Sequence, residues 1–198
     1  MDAEEKERKR IAADLHDNIG AYASAISADV ENISGKGFAG TELQNLQEHS
    51  REIIYSLRDT IWVLNKDSIT ITGISDRIKN YINKLKPSYE HIDISIAENI
   101  ENDVRVGSQK ALNVFRIVQE SIHNSLKHSQ AKKIIVTINS AASIIINIKD
   151  DGKGIGGNNG DGNGLRNMEA RAADAGLELL VQSSAETGTN ISLTTTTN

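Results

Sequence analysis

The fold is decided by one stretch of the chain, Gln119-Glu120-Ser121-Ile122-His123-Asn124-Ser125-Leu126-Lys127-His128. Glu120 and Asn124 are four residues apart, so on a helix they share one face. A carboxylate beside an amide carbonyl offers the hard oxygen ligands that Mg²⁺ accepts together with water and substrate phosphates. Lys127 lies one turn further along, where it would meet a phosphate. Taken alone, the pattern also suits an ordinary polar helix face, so the segments that follow it decide the interpretation.

Two glycine-rich segments and a short third motif follow in a fixed order. Asp150-Asp151-Gly152-Lys153-Gly154-Ile155-Gly156 ends a hydrophobic strand, where an aspartate accepts a hydrogen bond from an exocyclic amine. Gly152 and Gly154 let the backbone approach a flat base closely. Gly162-Asn163-Gly164-Leu165 opens a helix, whose free backbone N–H groups and dipole bind phosphate. Gly188-Thr189 precedes the last strand, and this order of motifs predicts a nucleotide site, although any one loop alone is compatible with a plain connection.

A separate candidate lies near the start of the chain, in Asp14-Leu15-His16-Asp17. A neutral imidazole is a competent nucleophile near pH 7, because its unperturbed pKa is about 6.5. The carboxylate of Asp17 would hold one ring N–H of His16 and would take the proton once the ring becomes cationic. On this motif alone, a solvated histidine on a charged helix is the favoured alternative.

The composition excludes several classes of protein. The 198 residues carry 22 Lys+Arg and 27 Asp+Glu, which gives a net charge of −5 and a pI near 5.6. A general nucleic-acid binder needs an excess of basic residues, so we expect no nucleic-acid partner. The lack of cysteine excludes disulfides and thiolate catalysis. No apolar run is long enough to cross a membrane and no signal peptide opens the chain, so we expect a cytosolic protein or a cytosolic fragment of a longer one.

Charge and composition change near residue 66, which predicts two domains, residues 1–66 and 69–198. The first has apolar stripes at steps of three and four from Ile11 to Ile33 and from Leu43 to Leu64. They predict two helices joined by the glycine-rich turn Gly35–Gly40, which is an antiparallel hairpin. A lone hairpin leaves its stripes uncovered, so we expect a homodimer in which two hairpins form a four-helix bundle. A monomeric hairpin packed on the second domain is the alternative.

The second domain alternates helix-like and strand-like segments, which predicts an α+β fold, a sheet with helices on one face. Its strands are expected to be antiparallel. The predicted helices are Ser75–Lys86, ending before Pro87, Ser108–His128 with Ser108 as a possible cap, and Leu165–Ala175. The predicted strands are Ile92–Ile96, Lys133–Asn139, Ser143–Asp150, Leu177–Ser183 and Asn190–Thr196, the second and third of them forming a hairpin.

These motifs together resemble a known pair of domains and cover nearly the whole chain. The second domain resembles the ATP-binding α/β sandwich shared by gyrase, Hsp90, histidine kinases and MutL. The first is similar to the dimerisation and phosphoacceptor domain of a histidine-kinase subfamily that includes nitrate sensors and the membrane-fluidity sensor of bacilli. That match rests on Arg8-Lys9-Arg10-Ile11-Ala12-Ala13-Asp14-Leu15-His16-Asp17-Asn18-Ile19-Gly20.

The resemblance implies a role for each matched position in the ATP site. Asn124 matches the Mg²⁺ ligand, and Glu120 matches the residue on the water network of the metal. Asp150 matches the aspartate that hydrogen-bonds adenine, and Thr189 matches the residue near the adenine-side water. Lys127 is assigned to the phosphates by its position one turn after Asn124.

The resemblance also implies a mobile lid and a phosphotransfer reaction. Gly162 and Gly164, followed by Leu165, match the hinge of a short ATP lid formed here by Gly156–Asp161. His16 resembles the phosphoacceptor, with Asp17 as the neighbouring acid or base.

The implied function is that of the catalytic core of a two-component sensor, which passes the γ-phosphoryl of Mg-ATP to His16 and then to the receiver domain of a response regulator. The implied parent protein is membrane-anchored, while this fragment makes no membrane contact. Ala21 stands where relatives commonly carry Gln, so we expect weak phosphatase activity. The alternatives are a gyrase-, Hsp90- or MutL-like ATPase, in which Glu120 activates water, and a dimeric scaffold that binds nucleotide without phosphate transfer.

Overall fold

The structure is a computed structural model that describes residues 67–155 and 163–196, together with Ala25, Ile26 and Leu46. The chain divides into two units, Met1–Lys66 and Asp67–Asn198. In the first unit the three described residues are helical and half-buried. The predicted hairpin, its pairing into a bundle, and the predicted residues His16 and Asp17 lie outside the described residues.

The second unit alternates strands with helices, as its sequence pattern predicts. Its strands are β1 Ser68–Thr70, β2 Asp93–Ile100, β3 Arg105–Gly107, β4 Lys133–Ser140, β5 Ser143–Asp150, β6 Glu178–Ser184 and β7 Gly188–Thr196. Its helices are α1 Ile71–Leu85, α2 Ser108–Asn124 and α3 Asn163–Asp174, with a 3₁₀ turn at Lys86–Ser88 and a π-helical turn at Ser125–Ser129.

Five strands form one mixed sheet in the order β2-β4-β5-β7-β6. The predicted hairpin of β4 and β5 is confirmed, with Ser140 opposite Ile144 and Ile134 opposite Asp150. The expectation of antiparallel strands is wrong for β2, which runs parallel to β4 from Asp93 opposite Lys133 onward. The reason is that α2 crosses between these two strands, and a helical crossover returns the chain in the same direction.

The core fills one face of this sheet. Every second residue of β4 and β5 is buried, and these residues are isoleucine or valine except at the strand ends, where Ser140 and Asp150 are buried. Helix α1 packs on β2 and on α2, and α2 in turn contacts β5 and α3. Each buried isoleucine contributes about 1.5–3 kcal/mol through removal of its apolar surface from water. The predicted sheet with helices on one face is therefore confirmed, and the core fixes the ends of β5 and α2 against each other.

The start of α1 and both ends of α2 differ from the sequence prediction. Helix α1 begins at Ile71 rather than Ser75, because the side chain of Thr70 accepts a hydrogen bond from the backbone N–H of Gly73 at 3.1 Å and caps the helix. Helix α2 is capped by Gly107 without a side-chain hydrogen bond, so Ser108 is its first helical residue and not its cap. The α-helix ends at Asn124, and a wider π turn carries the chain to Ser129.

Two short strands were not predicted from the sequence. Strands β1 and β3 form a separate two-stranded sheet, with Ile69 opposite Val106. Each has only three residues, which is too short to show an alternating pattern.

Candidate functional site

Asp150 ends strand β5 as a buried carboxylate, with only 3% of its surface exposed. Its Oδ1 accepts hydrogen bonds from the backbone N–H of Gly152 at 2.9 Å and of Thr189 at 3.2 Å. Its Oδ2 accepts a hydrogen bond from the hydroxyl of Ser125 at 2.7 Å. All three donors are neutral, and they leave one of the roughly four acceptor positions of the carboxylate open.

Three glycines near Asp150 allow close backbone packing, and one of them, Gly188, packs directly against Asp150. A Cβ on Gly188, whose φ is +75°, would lie 2.9 Å from Oδ1 of Asp150. A Cβ on Gly154, whose φ is +71°, would lie 2.5 Å from the carbonyl oxygen of Ser184. Gly152 was expected to approach a flat base, but a Cβ at this position would instead lie 2.5 Å from Cβ of Ser129. Gly152 therefore lets the loop pack on the end of the π turn that follows α2.

The hydroxyls of Thr189 and Ser183 connect the residue beside Asp150 to the backbone of Ile155. Thr189, buried with 7% of its surface exposed, has its hydroxyl 3.1 Å from the hydroxyl of Ser183. Ser183 in turn accepts a hydrogen bond from the backbone N–H of Ile155 at 2.7 Å. The network joins the predicted adenine-side residue Thr189 to the last described residue before the predicted lid.

Asp151 ties the same loop to the sheet. Its carboxylate accepts hydrogen bonds from the backbone N–H groups of Lys132 at 2.8 Å and Lys133 at 2.9 Å. The bonds from Lys133 and Lys132 hold the pKa of Asp151 below its usual range, although desolvation opposes them. Lys153 donates its backbone N–H to the carbonyl of Ser129 at 2.8 Å. These contacts fix the backbone on both sides of Gly152, and so they fix the position of the neighbouring Asp150.

Glu120 and Asn124 are half-buried on one face of α2, as predicted. The first turn of α3 lies directly against them. A Cβ on Gly164 would collide with Oε1 of Glu120 and would lie 3.4 Å from Nδ2 of Asn124. The structure therefore brings Glu120, Asn124 and Gly164 together, with Leu165 half-buried beside them.

The remaining predicted residues are placed as follows. Lys127 is exposed in the π turn after α2. Gly162 and the predicted lid Gly156–Asp161 lie outside the described residues.

The two halves of the site meet at consecutive residues of the chain. Asn124 faces the start of α3, and Ser125, the next residue, donates to Asp150. The carboxylate of Asp150, which can accept an amine, thus lies next to the oxygen-bearing side chains of Glu120 and Asn124. The N-terminus of the 12-residue helix α3 is also adjacent. In the described ranges no three His, Asp or Glu side chains cluster as a metal-binding group. The oxygen pair of Glu120 and Asn124 instead suits Mg²⁺, which retains water and substrate phosphates as its other ligands.

Sequence reasoning missed Ser125, Ser183 and Asp151. Ser183 faces Thr189 in the register of β6 and β7, but the pairing of two strands is not visible in either strand alone. Ser125 contacts a residue 25 positions away. Its one signal in the sequence is its place directly after Asn124.

None of the helices within the described ranges is both long enough and apolar enough to cross a membrane.

Two family models match the chain. One, described as histidine kinase, matches residues 7–68. The other, described as histidine kinase-, DNA gyrase B- and HSP90-like ATPase, matches residues 109–197 and so includes the residues around Asp150 and Glu120.

Solved structures share the fold. The histidine kinase domain of the Erythrobacter litoralis EL346 blue-light activated histidine kinase is 18% identical with a TM-score of 0.54, over 86% of this chain and 94% of that one. The Acinetobacter baumannii histidine kinase AdeS is 11% identical with a TM-score of 0.61, over 92% and 98%. The longer EL346 structure is 20% identical with a TM-score of 0.56, and the match covers 93% of this chain and 59% of that one.

Proposed function

The chain belongs to the histidine kinases, and from this premise we propose that residues 69–198 bind Mg-ATP while residues 1–66 carry the phosphate acceptor, His16. The activity of the family is that of an ATP-dependent protein-histidine kinase in two-component signal transduction. The proposal therefore concerns which residues of this chain perform each step.

Asp150 accepts the exocyclic amine of adenine. The observation that carries this assignment is the buried carboxylate itself, which has three neutral donors and one remaining acceptor position on Oδ2. An amine donates into that position, whereas a carbonyl there would meet like charge. Thr189, which donates its backbone N–H to the same carboxylate, forms the adjoining wall of the base pocket.

The phosphates bind at the other half of the site. The first turn of α3, at Gly164, lies against Glu120 and Asn124, and the helix dipole adds a positive potential there. Asn124 would hold Mg²⁺ and Glu120 its water network, and the bound ion would neutralise phosphate charge. Lys127 is close enough along the chain to approach the γ-phosphate.

His16 receives the phosphoryl group. Its imidazole nitrogen forms a bond to the γ-phosphorus while the bond from that phosphorus to the bridging oxygen breaks, and ADP leaves with the electron pair. Asp17 accepts the ring N–H and takes the ring proton. The group then passes to an aspartate on the receiver domain of a response regulator. Because the reaction consumes ATP, we assign it to the cytosol, and we assign the active form to a homodimer joined through residues 1–66.

Incubation of the intact chain with γ-labelled ATP tests the proposal. We expect label on the protein that is labile to acid and stable to alkali, as a phosphohistidine is. Release of free phosphate without labelled protein would show an ATPase instead. Binding of ATP without either product would show a nucleotide-binding scaffold.

A further inference from the structure

Three buried serines lie along one face of the helix that carries Asn124. Ser121, Ser125 and Ser129 recur every four residues, and each hydroxyl is in hydrogen-bond reach of the backbone carbonyl four residues earlier. The distances are 2.7, 3.1 and 2.6 Å respectively. The longest belongs to Ser125, which is also the one that contacts Asp150.

A serine hydroxyl has a single hydrogen to donate. At Ser125 two acceptors compete for it, the carbonyl of Ser121 at 3.1 Å and Oδ2 of Asp150 at 2.7 Å. Hydrogen bonds to ionised acceptors are shorter and stronger than neutral ones, so the hydrogen lies on the carboxylate. Ser121 and Ser129 make no such contact, because their second partners are Sδ of Met168 and the backbone N–H of Ala131.

This contact determines how many acceptor positions Asp150 offers to a ligand. A carboxylate has about four lone-pair positions. Gly152 and Thr189 occupy both positions of Oδ1, and Ser125 occupies one of the two on Oδ2. The three donors come from a loop, a strand and a helix, so together they fix the carboxylate plane.

We propose that Ser125 is a positioning residue that sets base selectivity, by holding Oδ2 of Asp150 so that one acceptor position faces the 6-amino group of adenine. The inference rests on the proposed function, because it assumes that adenine lies on Asp150. Without the Ser125 hydroxyl, Oδ2 has two open positions, one anchor is lost, and the carboxylate is free to turn away from the base.

The test compares two nucleotides that differ only in the amine. ADP and purine riboside diphosphate, which has hydrogen in place of the 6-amino group, are titrated into the full chain with Mg²⁺ by calorimetry. The use of diphosphates avoids turnover. The dissociation constant of purine riboside diphosphate divided by that of ADP isolates the contribution of the amine. A lower ratio means that the amine contributes less to binding.

We expect Ser125→Ala to weaken ADP binding by about fivefold to tenfold and to change binding of purine riboside diphosphate by less than about twofold. Ser125→Thr keeps the hydroxyl and restores the ratio. Ser125→Cys keeps the size of the side chain but offers a weak donor, so it lowers the ratio even if the alanine variant does not fold. Ser121→Ala is the matched control, since it removes an equally buried hydroxyl without touching Asp150, and it leaves the ratio unchanged.

One result overturns the inference, namely that the alanine and cysteine variants keep the parent ratio. If both nucleotides weaken equally, the ratio is also kept, and the serine is purely structural. Asp150→Asn, measured in parallel, separates this failure from failure of the proposed function. If Asp150→Asn lowers the ratio and Ser125→Ala does not, only the role of Ser125 fails. If neither lowers it, the base does not lie on Asp150.

Discussion

Asp150→Asn is the substitution that tests the base site most directly. In the parent, Oδ1 accepts two backbone N–H groups, from Gly152 and Thr189. Those donors require an oxygen, so the asparagine carbonyl takes the place of Oδ1 and its NH₂ group takes the place of Oδ2. The hydroxyl of Ser125 then turns toward the carbonyl of Ser121, 3.1 Å away, and accepts from the new NH₂ group. The fold keeps its hydrogen bonds, while the ligand amine now faces a donor.

The expected magnitude follows from this exchange. A hydrogen bond to a charged partner contributes on the order of 1.5–3 kcal/mol, and its loss raises the dissociation constant about 10-fold to 150-fold. Calorimetric titration of ADP with Mg²⁺ measures the change, and a thermal melt checks that the variant is folded.

Asp151→Asn is the control for the neighbouring position. Its carboxylate contacts the backbone of Lys132 and Lys133, not the pocket, so that variant loses stability and keeps its preference for the amine-bearing base. The reasoning is refuted if Asp150→Asn binds ADP as the parent does.

Four further outcomes are expected. His16→Ala abolishes incorporation of labelled phosphate and leaves nucleotide binding intact, since the nucleotide motifs all follow residue 119; persistent phosphohistidine would contradict the assignment. Gln130 ends the π turn with φ of 58°, a conformation that glycine adopts without strain, so Gln130→Gly raises the free energy of unfolding by up to about 1 kcal/mol in a urea titration. The pKa of Asp151 is held below its ordinary value of 3.8, so its contribution to stability is complete above that value and is lost as the pH falls through the lower folded-state pKa. The stability difference between the parent and Asp151→Asn therefore shrinks on acidification, and unfolding curves between pH 6 and pH 2 would disprove this if the difference persisted. With His16 substituted to prevent back-transfer, the protein leaves the decay of a phosphorylated regulator nearly unchanged and Ala21→Gln accelerates it; rapid decay with Ala21 in place would contradict the expectation.

Strand and helix positions followed from local patterns wherever those patterns were long enough. The β-branched residues of β5 predicted its bounds, Ser143–Asp150, without error. The direction of β2 could not be predicted in the same way, since a strand has the same alternation whether its neighbour is parallel or antiparallel. That direction is set by the helix that crosses between β2 and β4.

In the candidate site, too, local spacing could be predicted from the sequence, whereas contacts between distant residues could not. Glu120 and Asn124 were predicted to share a face, because a spacing of four residues determines it on any helix. The contact of Ser125 with Asp150 joins residues 25 positions apart and depends on how helix and sheet pack, so no local pattern contains it. Gly152 was correctly singled out, but for the wrong neighbour. A glycine indicates that the backbone packs closely against a neighbour but does not identify that neighbour. At Gly152 the neighbour is Ser129 and not a ligand.

The residues that donate hydrogen bonds to Asp150 are far apart along the chain, so they leave the ribosome at different times. These partners of Asp150 lie 2, 25 and 39 residues away, and the most distant, Thr189, belongs to β7, which is inserted between β5 and β6. Chain leaves the ribosome at about 5–20 residues per second, so several seconds separate the appearance of Ser125 from that of Thr189. During that interval β7 has not yet paired with β5, so one edge of β5 is exposed. Until Thr189 emerges, the base site therefore lacks one of the three donors that fix Asp150, and the open edge of β5 is exposed to pairing with another chain.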